Sequence, residues 1–211
     1  MDSSREVSDV GVHWDAVYRA KRTEEMSWYQ PLPARSIELL LRSGASQESE
    51  IIDVGGGDST LVDALIERGF RHVTVLDISG KALERARARL GAHAKGVTWI
   101  EADIRDADLP EGAFDVWHDR AVFHFLTRQD DRDRYVAQLA HALRHGGILI
   151  IATFALEGPP QCSGLATMRY DASGLARAFG DDFVLRESVT DVHRTPAGIE
   201  QAFTYAAFTR R

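Results

Sequence analysis

Apolar positions in this chain alternate between short unbroken runs and helical spacing. Ile51-Ile52 with Val54, Val73–Leu76, Val97–Ile100, Ala113–Trp117 and Ile148–Phe154 are short runs rich in β-branched and aromatic residues, the signature of buried strands. Between them, Leu61, Val62, Leu65 and Ile66 fall at helical spacing, as do Tyr135, Leu139 and Leu143. The spacing predicts helices over Asp58–Arg68, Lys81–Leu90 and Asp130–Arg144, the second with a charged, solvated outer face. Strands alternating with helices predict an α/β fold with a doubly wound parallel sheet. After Phe154 the pattern changes. Residues 155–170 read as a loop, Asp171–Phe179 as a short helix stopped by Gly180, and Phe183–Val192 and Gln201–Thr209 as two alternating strands. His193–Gly198 joins them as a hairpin loop. Ahead of the first strand, Trp14, Val17 and Tyr18 share one helical face, and Ser36–Leu41 reads as a helix closed by Ser43-Gly44. Residues 1–10 are polar and are expected to fray.

The chemistry concentrates where the first strand runs into Gly55-Gly56-Gly57 and then into the capping types Asp58, Ser59 and Thr60. Three successive glycines permit a tight bend and close approach of a ligand to the backbone. A strand, a glycine turn and a helix start form a nucleotide-type cofactor site at the carboxyl edge of a parallel sheet. The dinucleotide fingerprint is not met, because Thr60 stands where its third glycine belongs. Asp77 closes the second strand about 20 positions beyond the turn, where a carboxylate accepts hydrogen bonds from ribose hydroxyls. Asp103 follows the third strand. His118, Asp119, Arg120 and His124 are threaded into the apolar run of the fourth strand and its loop, at the same sheet edge, and each needs a partner if buried. Asp119 and His124 are the first catalytic candidates there, against the alternative of satisfied structural contacts. His193 faces either substrate or solvent.

A length of 211 residues suits one domain with a full doubly wound sheet. The net charge of −7 argues against a broad nucleic-acid or anionic-membrane surface. No apolar run reaches transmembrane length and no signal-peptide core follows Met1. Cys162 is the single cysteine, so no intrachain disulfide forms and a cytoplasmic setting is expected. With no basic neighbour, Cys162 reads as a packed small side chain rather than a reactive thiol. The eight histidines show no metal-ligand spacing, and no metal is expected.

The acidic D-x-G-x-G form of Asp53–Gly57 resembles motif I of the class I (seven-strand) S-adenosylmethionine-dependent methyltransferases. The resemblance runs through Asp77, Asp103, His118-Asp119, Gly146-Gly147 and the terminal hairpin, over about residues 45–210. It implies a Rossmann-like seven-stranded sheet with a C-terminal antiparallel hairpin. The whole of 1–211 would be one methyltransferase domain, with residues 1–44 a helical lid segment and 45–211 the core. It also implies the cofactor S-adenosyl-L-methionine and the product S-adenosyl-L-homocysteine. The residues implied to hold it are Trp28, Tyr29, Asp53, Gly55, Gly56, Gly57, Ser59, Asp77, Ile78, Asp103, Ile104, His118 and Asp119. In the family the glycine turn lies against the amino-acid part of the cofactor, and an acidic residue at the Asp103 position meets the adenine amine. The aromatics Trp14, Tyr18 and Trp28-Tyr29 are similar to an N-terminal segment of protein lysine methyltransferases, though simple core packing accounts for them as well. The Asn-Pro-Pro-Tyr motif of many amino-group methyltransferases is replaced by His118-Asp119-Arg120-Ala121.

The implied reaction is in-line displacement of a methyl group onto an N, O or S nucleophile of a small molecule or a protein side chain. Asp119, His124 or His193 would take the nucleophile's proton or orient it. Trp28, Tyr29, Trp117, Phe123 and Phe125 would wall a dry pocket. The competing readings are a non-catalytic methyltransferase-like binding module and a nicotinamide-dependent oxidoreductase.

Overall fold

The computed structural model describes residues 3–211, with side chains from Val10 onward. The expected fraying of residues 1–10 falls outside the described residues for Met1 and Asp2. From Ser3 the backbone is already helical, in α1 (Ser3–Ala20). Helix α2 (Ala34–Arg42) leads to β1 (Glu50–Val54), α3 (Leu61–Glu67), β2 (His72–Asp77), α4 (Gly80–Leu90) and β3 (Val97–Glu101). Then come β4 (Phe114–Arg120), α5 (Gln129–Ala142), β5 (Leu143–Phe154), the short β6 (Gln161–Cys162) and β7 (Leu165–Ala166), α6 (Ala172–Phe179), β8 (Phe183–Arg194) and β9 (Glu200–Arg210).

Seven strands make one sheet in the order β3-β2-β1-β4-β5-β9-β8. β1 to β5 are mutually parallel; β9 runs antiparallel to β5, and β8 antiparallel to β9. The strand order reverses between β1 and β4, so their carboxyl ends part there and leave a crevice. The period-2 alternation of strands sorts their side chains onto two cores. Ile52, Val54, Trp117, Leu149 and Ile151 pack with Tyr135 and Leu139 of α5 and Leu175 and Phe179 of α6. Ile51, Val73, Val75, Val116 and Ile150 pack with Leu39 and Leu40 of α2 and Leu61, Val62 and Leu65 of α3. By the same alternation Asp53 and His118, opposite each other in register, share the α2–α3 face.

The structure departs from the sequence expectation in several places. Helix α3 begins at Leu61 rather than Asp58, because the capping side chains serve other ends: Thr60 Oγ1 donates to Gln30 O and Asp58 accepts from Thr23 Oγ1. Helix α5 stops at Ala142, and Leu143 already pairs with Phe114 as the start of β5. Residues 155–170 include a two-rung ribbon, β6 with β7, closed by Ser163 and Gly164, both at positive φ. His193 pairs with Gln201 inside the hairpin, so it belongs to β8 and not to the loop.

Helix α1 is tied to α4 by Ser79. Its Oγ accepts from Ala82 N as the N-cap of α4 and donates to Asp15 Oδ1 at 2.6 Å. Ser79→Ala is therefore expected to lower stability by about 1 kcal/mol, the usual value of such a cap. It should also make α1 more susceptible to limited proteolysis than the rest of the chain. Equal protection of α1 in variant and parent would count against the tie.

Candidate active site

The turn after β1 works only with glycine. Gly55 sits at φ +66° and Gly57 at +49°. A Cβ on Gly55 would overlap Cγ2 of Val122, and one on Gly57 would lie 2.6 Å from the Tyr18 hydroxyl and 3.0 Å from Asp77 Oδ2. Gly55 N donates to Leu76 O at 2.7 Å, which draws the turn against the end of β2. Asp77, at that end, is 7% exposed. Its Oδ1 accepts from Ser79 N at 2.8 Å. Burial pushes its carboxyl up to about 7, helped by the nearby Asp58 and Asp53, while amide hydrogen bonds from Ser79 and Gly57 oppose the rise.

Beneath the turn, the opposed pair of β1 and β4 forms a buried relay. His118 Nδ1 lies 2.7 Å from Asp53 Oδ1, and His118 Nε2 lies 2.9 Å from the Ser36 hydroxyl of α2. All three residues are buried. With Nδ1–H donating to the carboxylate, Nε2 accepts from the serine. Asp53 Oδ2 is buried and has no hydrogen-bond partner among the described residues. It borders a small recess that Tyr29, Gly56, Ser59 and His118 also line.

A larger cavity of about 490 Å³ opens beside the turn, within the roughly 300–1,000 Å³ of small-ligand sites. Gly55, Asp77, Ile78, Asp103 and Ile104 line one end. Asp103 is engaged by Arg105: Oδ1 accepts from its backbone N and Nε, each at 2.9 Å, and Oδ2 from Nη2 at 2.6 Å. That leaves one lone pair on Oδ2. Arg105 also pairs with Asp131 at 2.6 Å. Over the cavity lie Trp14, Tyr18 and Trp28 of the N-terminal segment. Trp14 meets Trp28 edge-on at 5.8 Å and Phe125 at 5.1 Å.

The three catalytic candidates are not brought together. Asp119 is fully buried and outside the cavity lining: it accepts from Val122 N (2.8 Å), Phe123 N (3.1 Å) and the Tyr135 hydroxyl (2.7 Å). Burial pushes its carboxyl up to about 6, against the lowering effect of those bonds. The loop it braces contains Ala121 at φ +77°. His124 does line the cavity, fully buried; its Nδ1 accepts from Phe154 N at 3.3 Å. Burial, then the charge of Arg120, drops its pKa to about 3. The ring is therefore neutral with its proton on Nε2. His193 faces neither substrate nor solvent: its Nε2 donates to Ser27 O at 2.7 Å, latching β8 to the N-terminal segment. Of the expected walls, Trp28 and Phe125 line the cavity and Tyr29 the recess. Trp117 and Phe123 do not; both are core residues on the α5 side, where the alternation of β4 and the turn after it direct them, and Trp117 Nε1 donates to the Tyr135 hydroxyl at 2.9 Å.

Arg120, Phe154, Gln201 and Phe203 line the cavity without having been singled out for it in the sequence. Arg120 carried a signal, a cation at the end of an apolar strand; the others look like ordinary strand residues. Cys162 also lines the cavity, and burial raises its thiol above the usual range, in keeping with a packed, protonated side chain.

Residues 51–147 match the family described as a methyltransferase domain. An uncharacterised methyltransferase of Mycobacterium tuberculosis is 35% identical over 104 residues, 49% of this chain and 50% of that protein. The human eEF1A lysine and N-terminal methyltransferase is 22% identical over 161 residues, 72% of this chain and 22% of that protein. The chain thus spans about half the length of the first of these relatives. Among solved structures, the Burkholderia thailandensis 1,6-didemethyltoxoflavin-N1-methyltransferase, with bound 1,6-didemethyltoxoflavin and S-adenosylhomocysteine, superposes with a TM-score of 0.68 at 21% identity, covering 98% of this chain and 88% of that one. Residues 51–147 thus match a methyltransferase domain, and the seven-stranded sheet has the Rossmann-like order of the solved methyltransferase structure.

Proposed function

We propose that this chain catalyses methyl transfer from S-adenosylmethionine to an N, O or S nucleophile by in-line displacement. The observation that carries the reading is the glycine turn, closed to any side chain, standing beside buried Asp77 at the mouth of the cavity. When bound, the cofactor supplies a methyl group on a positively charged sulfur. Asp77 Oδ2 would accept from the ribose hydroxyls, and the remaining lone pair of Asp103 Oδ2 from the adenine amine. Asp53 Oδ2, buried and without a partner, would accept from the amino group of the cofactor's tail, in the recess bordered by Tyr29, Gly56, Ser59 and His118. Ile78 and Ile104, which line the same cavity, would flank the adenosine. Residues 1–44 would act as a lid: Trp14, Tyr18 and Trp28 cover the cavity and exclude water. Asp119 and His193 would hold the loop and the lid in place rather than move a proton, and His124 would position the acceptor. A cytoplasmic site of action fits the lone unpaired cysteine. No described helix is long and apolar enough to cross a membrane.

Thermal shift separates the competing readings. S-adenosylhomocysteine at 100 times its Kd should stabilise the protein by about 2.7 kcal/mol, and NAD at the same concentration should not. Stabilisation by NAD alone would overturn the reading. Transfer of labelled methyl to a protein or small-molecule fraction of a lysate then distinguishes an enzyme from a binding module.

A further inference from the structure

The end of the cavity away from Asp77 is apolar, aromatic and positively charged. Phe154 and Phe203 touch at 4.9 Å, and His124 stacks on Phe154 at 4.5 Å. The Arg120 guanidinium lies 4.8 Å over the Phe203 ring. Arg120 is held in place by two bonds, Nε to the Tyr205 hydroxyl at 3.0 Å and Nη1 to Trp28 O at 3.1 Å. Its third nitrogen, Nη2, is buried without a partner, and no carboxylate among the described residues pairs with the group. His124 Nε2 is likewise buried without a partner. The acids lining the cavity are accounted for elsewhere: Asp103 and Asp131 are held by Arg105, and Asp77 sits at the glycine turn.

Two orphaned donors and the lack of a carboxylate beside Arg120 define what this end can bind. A buried donor left unpaired is costly, so it marks a place where a ligand atom belongs. Nη2 of Arg120 is always a donor. Nε2 of His124 is a donor too, because Nδ1 already accepts from Phe154 N. Resting on the methyl-transfer reading above, we propose that the acceptor is a planar, apolar small molecule whose nucleophile or neighbouring group is an anionic oxygen or sulfur, held by Arg120 and His124 against Phe154 and Phe203. An ammonium or a lysine side chain would meet a cation with no compensating carboxylate. Where the anionic atom is itself the nucleophile, no general base is needed: its lone pair takes the methyl, the breaking C–S bond leaves its electron pair on sulfur, and no proton has to be placed. That agrees with a cavity in which His124 is held as a neutral donor.

The test is binding of three matched probes, 2-naphthoate, 2-methylnaphthalene and 2-naphthylmethylammonium, to the full chain by calorimetry, with and without S-adenosylhomocysteine. The naphthoate should bind at least tenfold tighter than the ammonium. Arg120→Gln should abolish that preference. His124→Phe should weaken naphthoate binding severalfold while its affinity for S-adenosylhomocysteine stays within twofold of the parent. Equal or tighter binding of the ammonium, or a preference that survives both substitutions, overturns the proposal. S-adenosylhomocysteine binding, measured separately, reports on the methyl-transfer reading; the anion preference without it reports on this site alone.

Discussion

Asp77→Asn is expected to weaken S-adenosylhomocysteine binding roughly 10- to 100-fold while making the unliganded protein more stable. The two effects have one cause. Asp77 is a buried carboxylate that costs the folded chain and, on the proposed reading, serves the ligand. Asparagine keeps one oxygen, enough for the Ser79 amide, but its other atom donates. At least one charge-assisted bond to a ribose hydroxyl is lost, at about 1.5–3 kcal/mol. In the unliganded state the same change removes a charge that burial disfavours. A carboxyl raised from 3.8 to about 7 means that ionising it at pH 8 costs about 4 kcal/mol. Part of this is offset by the amide bond that asparagine cannot accept, so a net gain on the order of 2 kcal/mol is expected, several degrees in Tm. Calorimetry and thermal unfolding on the same preparation check both signs. Tighter binding, or a loss of stability with unchanged binding, would contradict this role.

The same carboxyl sets a pH dependence. Its folded pKa stands above its ordinary value, so its stabilising contribution is present below pH 4 and is lost as the pH rises through about 7. Ligand affinity should run the other way, because the ribose hydroxyls need the ionised form. Between pH 6 and 8 the ionised fraction grows from about a tenth to about nine tenths, so affinity should increase nearly tenfold. In Asp77→Asn that rise should be absent.

The sequence announced the parts of the site that lie close together along the chain. Strand, glycine turn and Asp77 are legible because each depends on local backbone conformation and on one βαβ spacing. The succession of five buried strands is legible in the short apolar runs, and the terminal hairpin in the change of hydrophobic period after Phe154. What stayed hidden depends on register and on distant partners. Asp53 and His118 are 65 positions apart and meet only because β1 and β4 pair with that register. His193 lies 166 positions from Ser27, and nothing in either neighbourhood signals the bond. Trp117 reads in the sequence as one aromatic wall of a dry pocket, but alternation along β4 sends it to the opposite core from His118. Arg120 was visible as a charge in an apolar run, while its missing counter-ion was not, since that is a property of everything packed around it.

Asp119 is the residue on which the hydroxyl-bearing core and the cavity loop converge, and its removal should be among the most damaging single changes. Asp119→Ala would leave the amides of Val122 and Phe123 and the hydroxyl of Tyr135 without their acceptor, all in the interior. At about 1–3 kcal/mol for each unsatisfied group, partly relieved by water entering the hole, the expected loss is roughly 3–5 kcal/mol. The loop concerned holds Ala121 at φ +77° and carries His124 and Phe125 into the cavity, so methyl transfer should fall with it. Such a loss alone does not distinguish a brace from a base; Asp119→Asn does. Its amide keeps the shape and one acceptor oxygen but cannot take a proton. A base replaced in this way would lose about 10²- to 10⁴-fold in kcat, and the acidic limb of the pH–rate profile near 6 would vanish with it. The geometry predicts the other result: kcat within about tenfold of the parent and an unchanged pH–rate profile, because this carboxylate is spent on three donors and does not line the cavity.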